Sequence, residues 1–430
     1  MSVGLRQRIS TAAVRSVRSL RIRNYRLFFT GHSISVTGTW MQRVAQDWLV
    51  FEITDSPVAI GIALALQFGP ILLLGIWGGV IADRVDRRTT LIVTQVIQLI
   101  LALVLGVLAV ASVIELWMVF LFALLLGLVT VVDQPVRQSF VANLVHRDSY
   151  ANAQVLNSTA QNLGKFIGPA IAGAVIAWQD VGAAFLINAL SFVAMLVALA
   201  LMKRSELLPQ PRLARGKGQA REGVVYVWRH PQLRIAMVLL VVVSVLGQNF
   251  RVVFPIIGAM FGGDAGAYGS LMAALGLGAL VAALFTAARE TATTGSLVVA
   301  AIGFGVLSTV LAGSPGLTFA LVVTAGLGVT NFVFNTLVRT VMLLVSDAQM
   351  QGRVMALHGL VFLGSTPIGG LIIGWVCEQW GVRVGLLVGG VSVLLSAAGA
   401  IGMSRRASKV ASGSPGRHVG ADIAARPRNH

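Results

Sequence analysis

Two pairs of ionisable residues lie inside long apolar runs of the sequence, where a charge is costly unless it has a partner or a function. Arg43 and Asp47 are four residues apart, and Asp133 and Arg137 repeat that spacing. Side chains at this spacing share one face of a helix and can pair. A carboxylate in such surroundings can also take up and release a proton. We interpret Arg43 and Asp47 as cavity residues, with Asp47 as the proton-coupling carboxylate. The alternative, an ion pair that only holds helices together, is favoured for Asp133 and Arg137.

Further polar residues in apolar runs extend this candidate cavity. Trp40 shares the helix face of Arg43, and Lys165 is either another cationic cavity group or a partner of Asp133. The remaining candidates lie in two later runs and are Gln248, Asn249, Arg251, Asn331, Asn335 and Arg339. Cations outnumber carboxylates in this set, which favours anionic or neutral amphipathic cargo over cationic drugs.

No motif for catalysis, metal binding or nucleotide binding occurs in the sequence. The histidines are isolated, so no His/Cys cluster has the spacing of a metal site. Gly164-Lys165-Phe166 lacks the leading glycine and the Ser/Thr of a phosphate-binding loop, and neither His-Glu-x-x-His nor Gly-x-Ser-x-Gly is present. We therefore predict no enzyme activity, no cofactor and no metal, and a process driven by an ion gradient.

The composition predicts an all-α membrane protein. Of the 430 residues, 56% are hydrophobic and 11% are charged, and the mean hydropathy is +0.83. Apolar runs of about 20 residues recur, each long enough to cross a hydrocarbon core of about 30 Å. Twelve spans are predicted at 27–50, 58–82, 89–112, 116–141, 153–177, 183–202, 235–260, 267–288, 296–313, 317–341, 355–376 and 384–403.

The distribution of charge between these spans predicts their orientation. The net charge of +17 comes mostly from the N-terminus, the segments after even-numbered spans and the C-terminal tail, whereas acidic residues follow the odd-numbered spans. Arg383 is the exception. Basic loops face the cytoplasm and its anionic lipid, so this charge predicts a lipid partner rather than a nucleic acid. We expect a multi-pass protein of the cell (inner) membrane, with both termini cytoplasmic and the first span retained.

Composition also divides the chain into five regions. They are a cytoplasmic N-terminal arm (1–26), a six-helix half (27–202), a cytoplasmic linker with an amphipathic helix (203–234), a second six-helix half (235–403) and a disordered cytoplasmic tail (404–430). Pro169 and Pro367 lie at equivalent places of the two halves. Weak internal symmetry of this kind is common in transporters, whose substrate site lies between the repeats.

The chain resembles the major facilitator superfamily in the loop "GGVIADRVDRR" (78–88). Four longer stretches resemble its enterobactin-exporter-like branch: 38–61, 133–145, 156–173 and 352–370. The departures are Lys165, where this branch often has arginine, and Ala172, which replaces a glycine of the fifth-span motif. The resemblance covers about residues 20–400. It implies twelve transmembrane helices in two pseudo-symmetric halves, with spans one, four, seven and ten lining a central cavity.

Two motifs of this family have expected roles in conformational change. Asp83, Arg87 and Asp133 are predicted to form an ionic latch at the cytoplasmic end; its candidate residues are Asp83, Arg84, Arg87, Arg88, Asp133 and Arg137. The alternative is a positively charged anchor without a gating role. The glycines at 75, 78 and 79 predict close helix contacts. The helix-kink motif comprises Gly164, Gly168, Pro169 and Gly173, and it resembles the antiporter pattern of drug/proton exchangers.

These observations together predict a secondary active transporter. We expect a monomeric, proton-coupled exporter of a small molecule (a siderophore, drug or metabolite) that works by alternating access. The alternatives are a non-transporting receptor or scaffold on the same fold, and an uptake symporter.

Overall fold

The computed structural model describes residues 18–208, 219–286 and 292–412. Secondary structure in this part of the chain is helical and comprises fourteen α-helices. They are α1 Arg23–Thr54, α2 Pro57–Arg84, α3 Arg87–Val110, α4 Leu116–Leu144, α5 Arg147–Trp178, α6 Val181–Leu201, α7 Gln219–Arg229, α8 Pro231–Val242, α9 Phe250–Met260, α10 Ala265–Thr286, α11 Thr294–Ala312, α12 Leu317–Val345, α13 Gln351–Trp380 and α14 Val382–Ser412.

Ten helical segments are long and apolar enough to cross a membrane, and α8 and α9 together make one of them. Helices α1 and α5 do not meet that criterion. Each has 32 residues, which is more than sufficient length, but each also carries charged and amide side chains along its course. The residues that lower their hydropathy include Arg43, Asp47 and Lys165, so the candidate cavity residues are also the reason that these helices are less apolar.

Local capping residues set where the helices begin. Ser56 accepts a hydrogen bond from the Ala59 amide and is followed by Pro57, and Asp180 caps α6 through the Ala183 amide. Such side chains satisfy backbone donors that have no partner in the first helical turn. Short connections make successive helices antiparallel, so the bundle has two ends. We call them the Ser56 end, where α1 meets α2, and the Asp86 end, where α2 meets α3.

The helices pack in two sets, α1–α6 and α8–α14. Within the first set α1 packs on α5 and α6, and α2 packs on α4; within the second, α10 packs on α12 and α11 on α14. Two seams join the sets, α2 with α13 and α5 with α10. Along the first seam Gly61 faces Gly370, and along the second Gly173 faces Gly269. Both pairs lie towards the Ser56 end, because α2 and α10 begin there.

The linker region is partly described. Its residues 209–218 lie outside the described residues, and α7 covers the segment predicted as an amphipathic helix. On α7, Val227 is buried and Trp228 is exposed. Glu222 pairs with Arg353, and the Tyr226 hydroxyl donates to Asp347 at 2.9 Å, which fixes α7 to the start of α13.

Both ends of the chain differ from the predicted regions in extent. Residues 1–17 of the predicted N-terminal arm and 413–430 of the predicted tail lie outside the described residues. Between 404 and 412 the predicted tail continues α14 as a helix. The helix continues there because these residues include no proline or glycine that would interrupt it.

The glycines of α2 differ in what surrounds them. A Cβ on Gly78 would collide with the Val131 carbonyl oxygen of α4, whereas a Cβ on Gly75 would meet only Ile71 of its own helix. We expect Gly78→Ala to lower the free energy of unfolding by about 1–3 kcal/mol through overpacking. Gly75→Ala is the matched control and should be neutral or stabilising by up to about 1 kcal/mol. Thermal unfolding in detergent measures both, and equal midpoints for the two variants would contradict the close α2–α4 contact.

Candidate functional site

A buried ion pair between Asp47 of α1 and Arg251 of α9 links the two sets of helices. Arg251 Nε lies 2.6 Å from Asp47 Oδ2, and Arg251 Nη2 lies 2.8 Å from Oδ1, so the contact is bidentate. Asp47 is 1% exposed. Planar fork-to-fork geometry of this kind is the strongest form of charge-assisted hydrogen bond. The predicted candidates Asp47 and Arg251 are thus brought together although 204 residues separate them.

Two residues that the sequence analysis did not single out complete this pair. The Tyr268 hydroxyl of α10 donates to Asp47 Oδ2 at 3.1 Å, and Arg251 Nη1 donates to Gln67 Oε1 of α2 at 3.1 Å. Gln67 is a lone amide within the apolar run of α2, and that isolation was an available signal. Tyr268 follows the start of α10, as a tyrosine at a membrane interface often does, so its sequence context did not distinguish it.

Arg43 does not pair with Asp47 through its side chain, although the spacing would permit it. Its guanidinium carbon lies 4.5 Å from the ring centroid of Trp40 and 5.2 Å from that of Phe68. Lys165 Nζ lies 5.7 Å from the Trp40 ring. Only the backbone carbonyl of Arg43 enters the ion-pair cluster, as an acceptor for Arg251 Nη2 at 3.3 Å. Asp47 is therefore neutralised by Arg251 of the other set of helices. The Arg43 guanidinium instead lies against the rings of Trp40 and Phe68.

The break between α8 and α9 positions Arg251. A π turn at Val243–Gly247 ends α8, and α9 starts at Phe250, so the predicted continuous span 235–260 is interrupted. Gln248 and Asn249 occupy the break; Asn249 Nδ2 donates to the Val245 carbonyl at 2.7 Å, and Gln248 Nε2 is buried without a partner. Neither is hydrogen-bonded to Asp47 within the described part of the chain. Arg251 lies in the first turn of α9 and reaches across to α1.

A second buried ionic cluster lies wholly within α1–α6. Arg137 Nη2 is 2.6 Å from Asp133 Oδ2, as the spacing predicted. Thr94 and Gln95 of α3 donate to Asp133 Oδ1 at 2.7 and 3.2 Å, and Arg137 Nη1 lies 3.0 Å from His32 Nδ1 of α1. These contacts join three helices of one set and none of the other, so they support the interpretation of Asp133–Arg137 as a packing element.

Of the latch candidates, only Asp133 and Arg137 pair with each other within the described residues. Arg87 donates to Asn143 Oδ1 at 2.7 Å, and Arg88 is bound to the Leu199 carbonyl at the end of α6. No ion pair within the described residues includes Asp83 or Arg84. Asp133 is occupied by Arg137 and α3. An Asp83–Arg87–Asp133 latch is therefore absent from this conformation, and a latch role in another conformation stays a prediction.

Asp86 of the same loop caps α3. Its Oδ1 accepts from the Thr89 amide at 2.8 Å, and hydrogen bonding to Thr89 lowers the pKa of Asp86 below its ordinary value. Because the folded pKa is the lower one, the stabilisation is present above about pH 4 and is lost as the pH falls through the folded value. We expect Asp86→Ala to cost about 1 kcal/mol at neutral pH, whereas Asp86→Asn retains the cap and removes its pH dependence. Unfolding midpoints between pH 3 and 7 measure this, and identical pH profiles for wild type and Asp86→Asn would contradict it.

The polar stripe of α12 lies apart from the Asp47 cluster. Asn335 Nδ2 donates to Asn331 Oδ1 at 3.0 Å, and Asn335 Oδ1 is buried without a partner. Arg339 is exposed and forms no ion pair within the described part of the chain. None of the three is hydrogen-bonded to α1 or α9.

The glycines of the predicted kink motif are contact points for two different helices. A Cβ on Gly168 would lie 2.7 Å from the Thr37 carbonyl oxygen of α1, and Gly164 faces Val36 of the same helix. Gly173, one turn beyond Pro169, instead faces Gly269 of α10. The motif therefore holds α5 against α1 and also forms the α5–α10 seam.

Comparison with known families shows to which family the chain belongs. The model of the transmembrane secretion effector family matches residues 15–423, nearly the whole chain. This protein is a member of that family. Its members and the relatives below are transporters of the major facilitator superfamily and not enzymes.

Curated relatives are similar at low identity. The staphyloferrin A transporter of Staphylococcus aureus is 26% identical over 260 residues, and the match spans 60% of this chain and 65% of that relative, just under two thirds of its length. The multidrug efflux pump Tap of Mycolicibacterium fortuitum is 24% identical over 83% of this chain and 90% of its own. An uncharacterised transporter of Bacillus subtilis, YfiS, is 24% identical over 84% of this chain and 89% of its own.

Solved structures share the fold. A bacterial homologue of the human lysosomal transporter Spinster has a TM-score of 0.69 at 14% identity, over 89% of this chain and 96% of its own. The nucleoside transporter NupG has a TM-score of 0.69 at 11% identity, over 89% and 99%. At these identities the likeness concerns the fold alone. The family places the protein among multi-pass membrane transporters, and the specific enterobactin-exporter resemblance stays an expectation.

Proposed function

We propose that the protein is a proton-coupled secondary exporter that works by alternating access between two six-helix halves. The halves are α1–α6 and the span formed by α8 and α9 together with α10–α14. Helices α1 and α5 complete a count of twelve, because their polar residues face the bundle and not lipid. This orientation is supported by the burial of Asp47 and by the contact of Lys165 with Trp40.

The Asp86 end is proposed to face the cytoplasm of a cell (inner) membrane, with both termini on that side. Arg84, Arg87 and Arg88 lie there, and the Ser56 end carries Glu52, Asp55 and Glu378. An excess of arginine and lysine in short cytoplasmic loops is the ordinary determinant of orientation.

The single observation that carries the mechanism is the Asp47–Arg251 pair. It is buried, it joins the two halves, and its hydrogen bonds with Gln67 and Tyr268 add two more helices. The hydrogen bonds that involve side chains and join described residues of α1–α6 to those of α8–α14 lie at the Ser56 end. One group consists of these four residues and the Arg43 carbonyl. In the other group, Glu378 accepts from the Ser56 hydroxyl and the Val58 amide. We infer that the pair is an outer gate, closed in this conformation.

Protonation of Asp47 supplies a way to open that gate. A neutral carboxylic acid cannot compensate the charge of Arg251, so proton uptake weakens the contact between the halves and favours opening at the Ser56 end. Deprotonation restores it. The charged groups that face Asp47 are Arg251 and Arg43, and Tyr268 is its neutral titratable neighbour. The open Ser56 end exposes Asp47 to the side with more protons, and proton entry drives cargo exit when the protonated protein closes there without cargo and releases its proton at the Asp86 end.

The Asp86 end requires a gate of its own when the Ser56 end opens. Asp83 and Arg84 lack ion-pair partners among the described residues, and we propose that they acquire them in that second conformation. The cargo is proposed to be a small molecule such as a siderophore, drug or metabolite. Support comes from the names of two relatives, the staphyloferrin A transporter and the multidrug efflux pump Tap. We propose that one copy of the chain is the transporting unit.

Transport into sealed vesicles tests this function. The purified protein is inserted with the Asp86 end outward, and staphyloferrin A and ethidium serve as two probes of opposite charge. Export predicts that at least one accumulates in the lumen only when the lumen is acidic. Release from the vesicle driven by an acidic lumen would instead indicate uptake symport. Gradient-independent movement would contradict proton coupling.

A deletion strain tests the same proposal without choosing the cargo. Metabolites inside the cells and in the medium are compared with those of the parent strain. An exporter predicts at least one compound that is retained in the mutant and depleted from its medium. Identical profiles, together with no movement of either probe, would favour a receptor or scaffold.

A further inference from the structure

Two cations beside the gate form no ion pair within the described residues. Within the described residues, neither Arg43 nor Lys165 takes part in an ion pair or donates a side-chain hydrogen bond to a protein acceptor. Asp47, the buried acid whose charge acts on Arg43, has both oxygens occupied by Arg251 and one of them also by Tyr268. Asp47 therefore offsets the charge of Arg43 only in part, and neither cation has an ion-pair partner of its own.

Both cations belong to one site, although they lie on different helices. Each faces the indole ring of Trp40, Arg43 from α1 and Lys165 from α5, and Arg43 also faces Phe68 of α2. Gly168 lets α5 approach α1 closely at this point, because a side chain there would collide with the backbone of Thr37 and Met41. Packing thus brings two like charges near each other. Like charges at short range disfavour each other's charged form, and a bound anion would relieve that cost.

The aromatic rings do not supply that anion. A ring face attracts a cation only weakly compared with a carboxylate, and it cannot accept the several hydrogen bonds that a guanidinium and an ammonium offer. The rings do provide a flat, apolar surface between the two cations. A molecule that carries an acidic group next to a planar or apolar part would satisfy the cations and the rings together.

We propose that Arg43, Lys165, Trp40 and Phe68 form the cargo subsite, and that the cargo is an organic anion with a carboxylate beside a planar or apolar body. Arginine binds a carboxylate through two parallel hydrogen bonds, and lysine adds a point charge. This inference rests on the proposed transport function, because it assigns a class of cargo to the same cavity. It leaves Asp47 available to carry the proton, since the cargo binds to cations that form no ion pair with Asp47.

Binding without any gradient tests the subsite separately from transport. The probes are naphthalene-1,4-dicarboxylate and its neutral diamide, titrated calorimetrically into the full-length protein in phosphatidylcholine nanodiscs. We expect the dianion to bind at least roughly tenfold more tightly than the diamide, since a hydrogen bond to a charged group contributes about that much. Arg43→Gln and Lys165→Gln should each remove most of this difference, and Lys165→Arg should retain it. Affinity for the diamide should stay unchanged, which shows that the variants are folded.

Matched control variants remove one arginine or one lysine charge at positions outside the proposed subsite. Arg383→Gln and Lys203→Gln alter an exposed arginine at the Ser56 end and a lysine that pairs with Glu206 at the Asp86 end. Both should bind the dianion like wild type. Equal affinity for the dianion and the diamide, or wild-type selectivity in Arg43→Gln and Lys165→Gln, would overturn the inference.

Further outcomes distinguish a cargo anion from a lipid headgroup, and the failure of the subsite from the failure of the transport proposal. If phosphatidylglycerol in the nanodisc abolishes dianion binding, the site holds a lipid headgroup and the cargo assignment fails. If selective binding is found but no proton-driven transport, the subsite stands and the transport proposal fails. If transport proceeds but the variants bind and move cargo normally, only the subsite fails.

Discussion

Replacement of Asp47 by asparagine should abolish uphill transport. The change removes both the proposed proton carrier and the counter-charge of Arg251, whose side chain is only 12% exposed. Removal of one partner of a buried ion pair costs about 3–5 kcal/mol, equivalent to a population change of a hundredfold or more. We therefore expect proton-driven accumulation in vesicles to fall at least about tenfold, while gradient-free exchange of cargo across the membrane is retained.

Glu52→Gln is the control for this experiment. Glu52 lies on the same helix, is exposed and forms no ion pair within the described residues, so its neutralisation should leave transport unchanged. Uphill transport at the wild-type rate in Asp47→Asn would show that this carboxylate neither carries the proton nor closes the gate. Loss of exchange together with uphill transport would indicate a structural pair without a coupling role.

The second large effect is expected from Gly173→Leu, which should prevent the Ser56 end from closing. A side chain at Gly173 would meet the Gly269 backbone at the α5–α10 seam, while this glycine makes no comparable contact within its own set. Overpacking typically costs 1–3 kcal/mol, so the closed conformation should become roughly tenfold or more less populated. Cargo transport should fall accordingly, although the packing within each set of helices is not directly altered.

Cross-linking across the other seam measures this closure. The Ser56 hydroxyl contacts the Glu378 carboxylate, so cysteines at these two positions should be joined by a short thiol-reactive cross-linker when the end is closed. Cys377 is the only cysteine of the chain and is replaced by alanine as the background. Gly399→Leu, at a position on α14 with open space around it, should cross-link normally. Undiminished cross-linking in Gly173→Leu would show that the seam tolerates a side chain.

Helix packing and the Asp47–Arg251 ion pair have different roles in closing the Ser56 end. The glycine seams permit contact between the halves, but contacts between small residues have the same energy whatever the pH. The Asp47–Arg251 pair depends on protonation, and a buried pair contributes little net stability because desolvation offsets its attraction. A gate of this kind can be released by one proton, whereas a purely apolar seam could not.

The identities of the helices follow from local sequence, and they could be predicted. Apolar runs of membrane length and the capping residues Ser56, Asp86 and Asp180 mark where helices begin. Hydropathy and capping depend on neighbours within one or two turns, which is why they can be recognised without the fold. The break at Gly247–Asn249 could not, because a π turn carries no strong local signal in an apolar run.

The sequence singled out candidate site residues, but it did not reveal which of them contact one another. Asp47, Arg251, Arg43, Trp40 and Lys165 were singled out because polar groups are rare inside apolar runs, and the structure brings them to neighbouring positions. The stripe of Asn331, Asn335 and Arg339 satisfied the same criterion but lies apart from them. A polar residue in an apolar helix is a candidate functional residue, but its rarity does not indicate which other helix it will contact.

The sequence by itself determined that this is a helical membrane protein and which side chains are available to it, because burial of apolar runs and pairing at a spacing of four are local effects. The Asp133–Arg137 pair is the example in which local spacing sufficed. Only the tertiary structure decided that Asp47 pairs with Arg251 and not with Arg43 four residues away. The reason is geometric: a bidentate contact needs a guanidinium presented in the plane of the carboxylate, and the broken α8–α9 segment presents one there from the other set of helices.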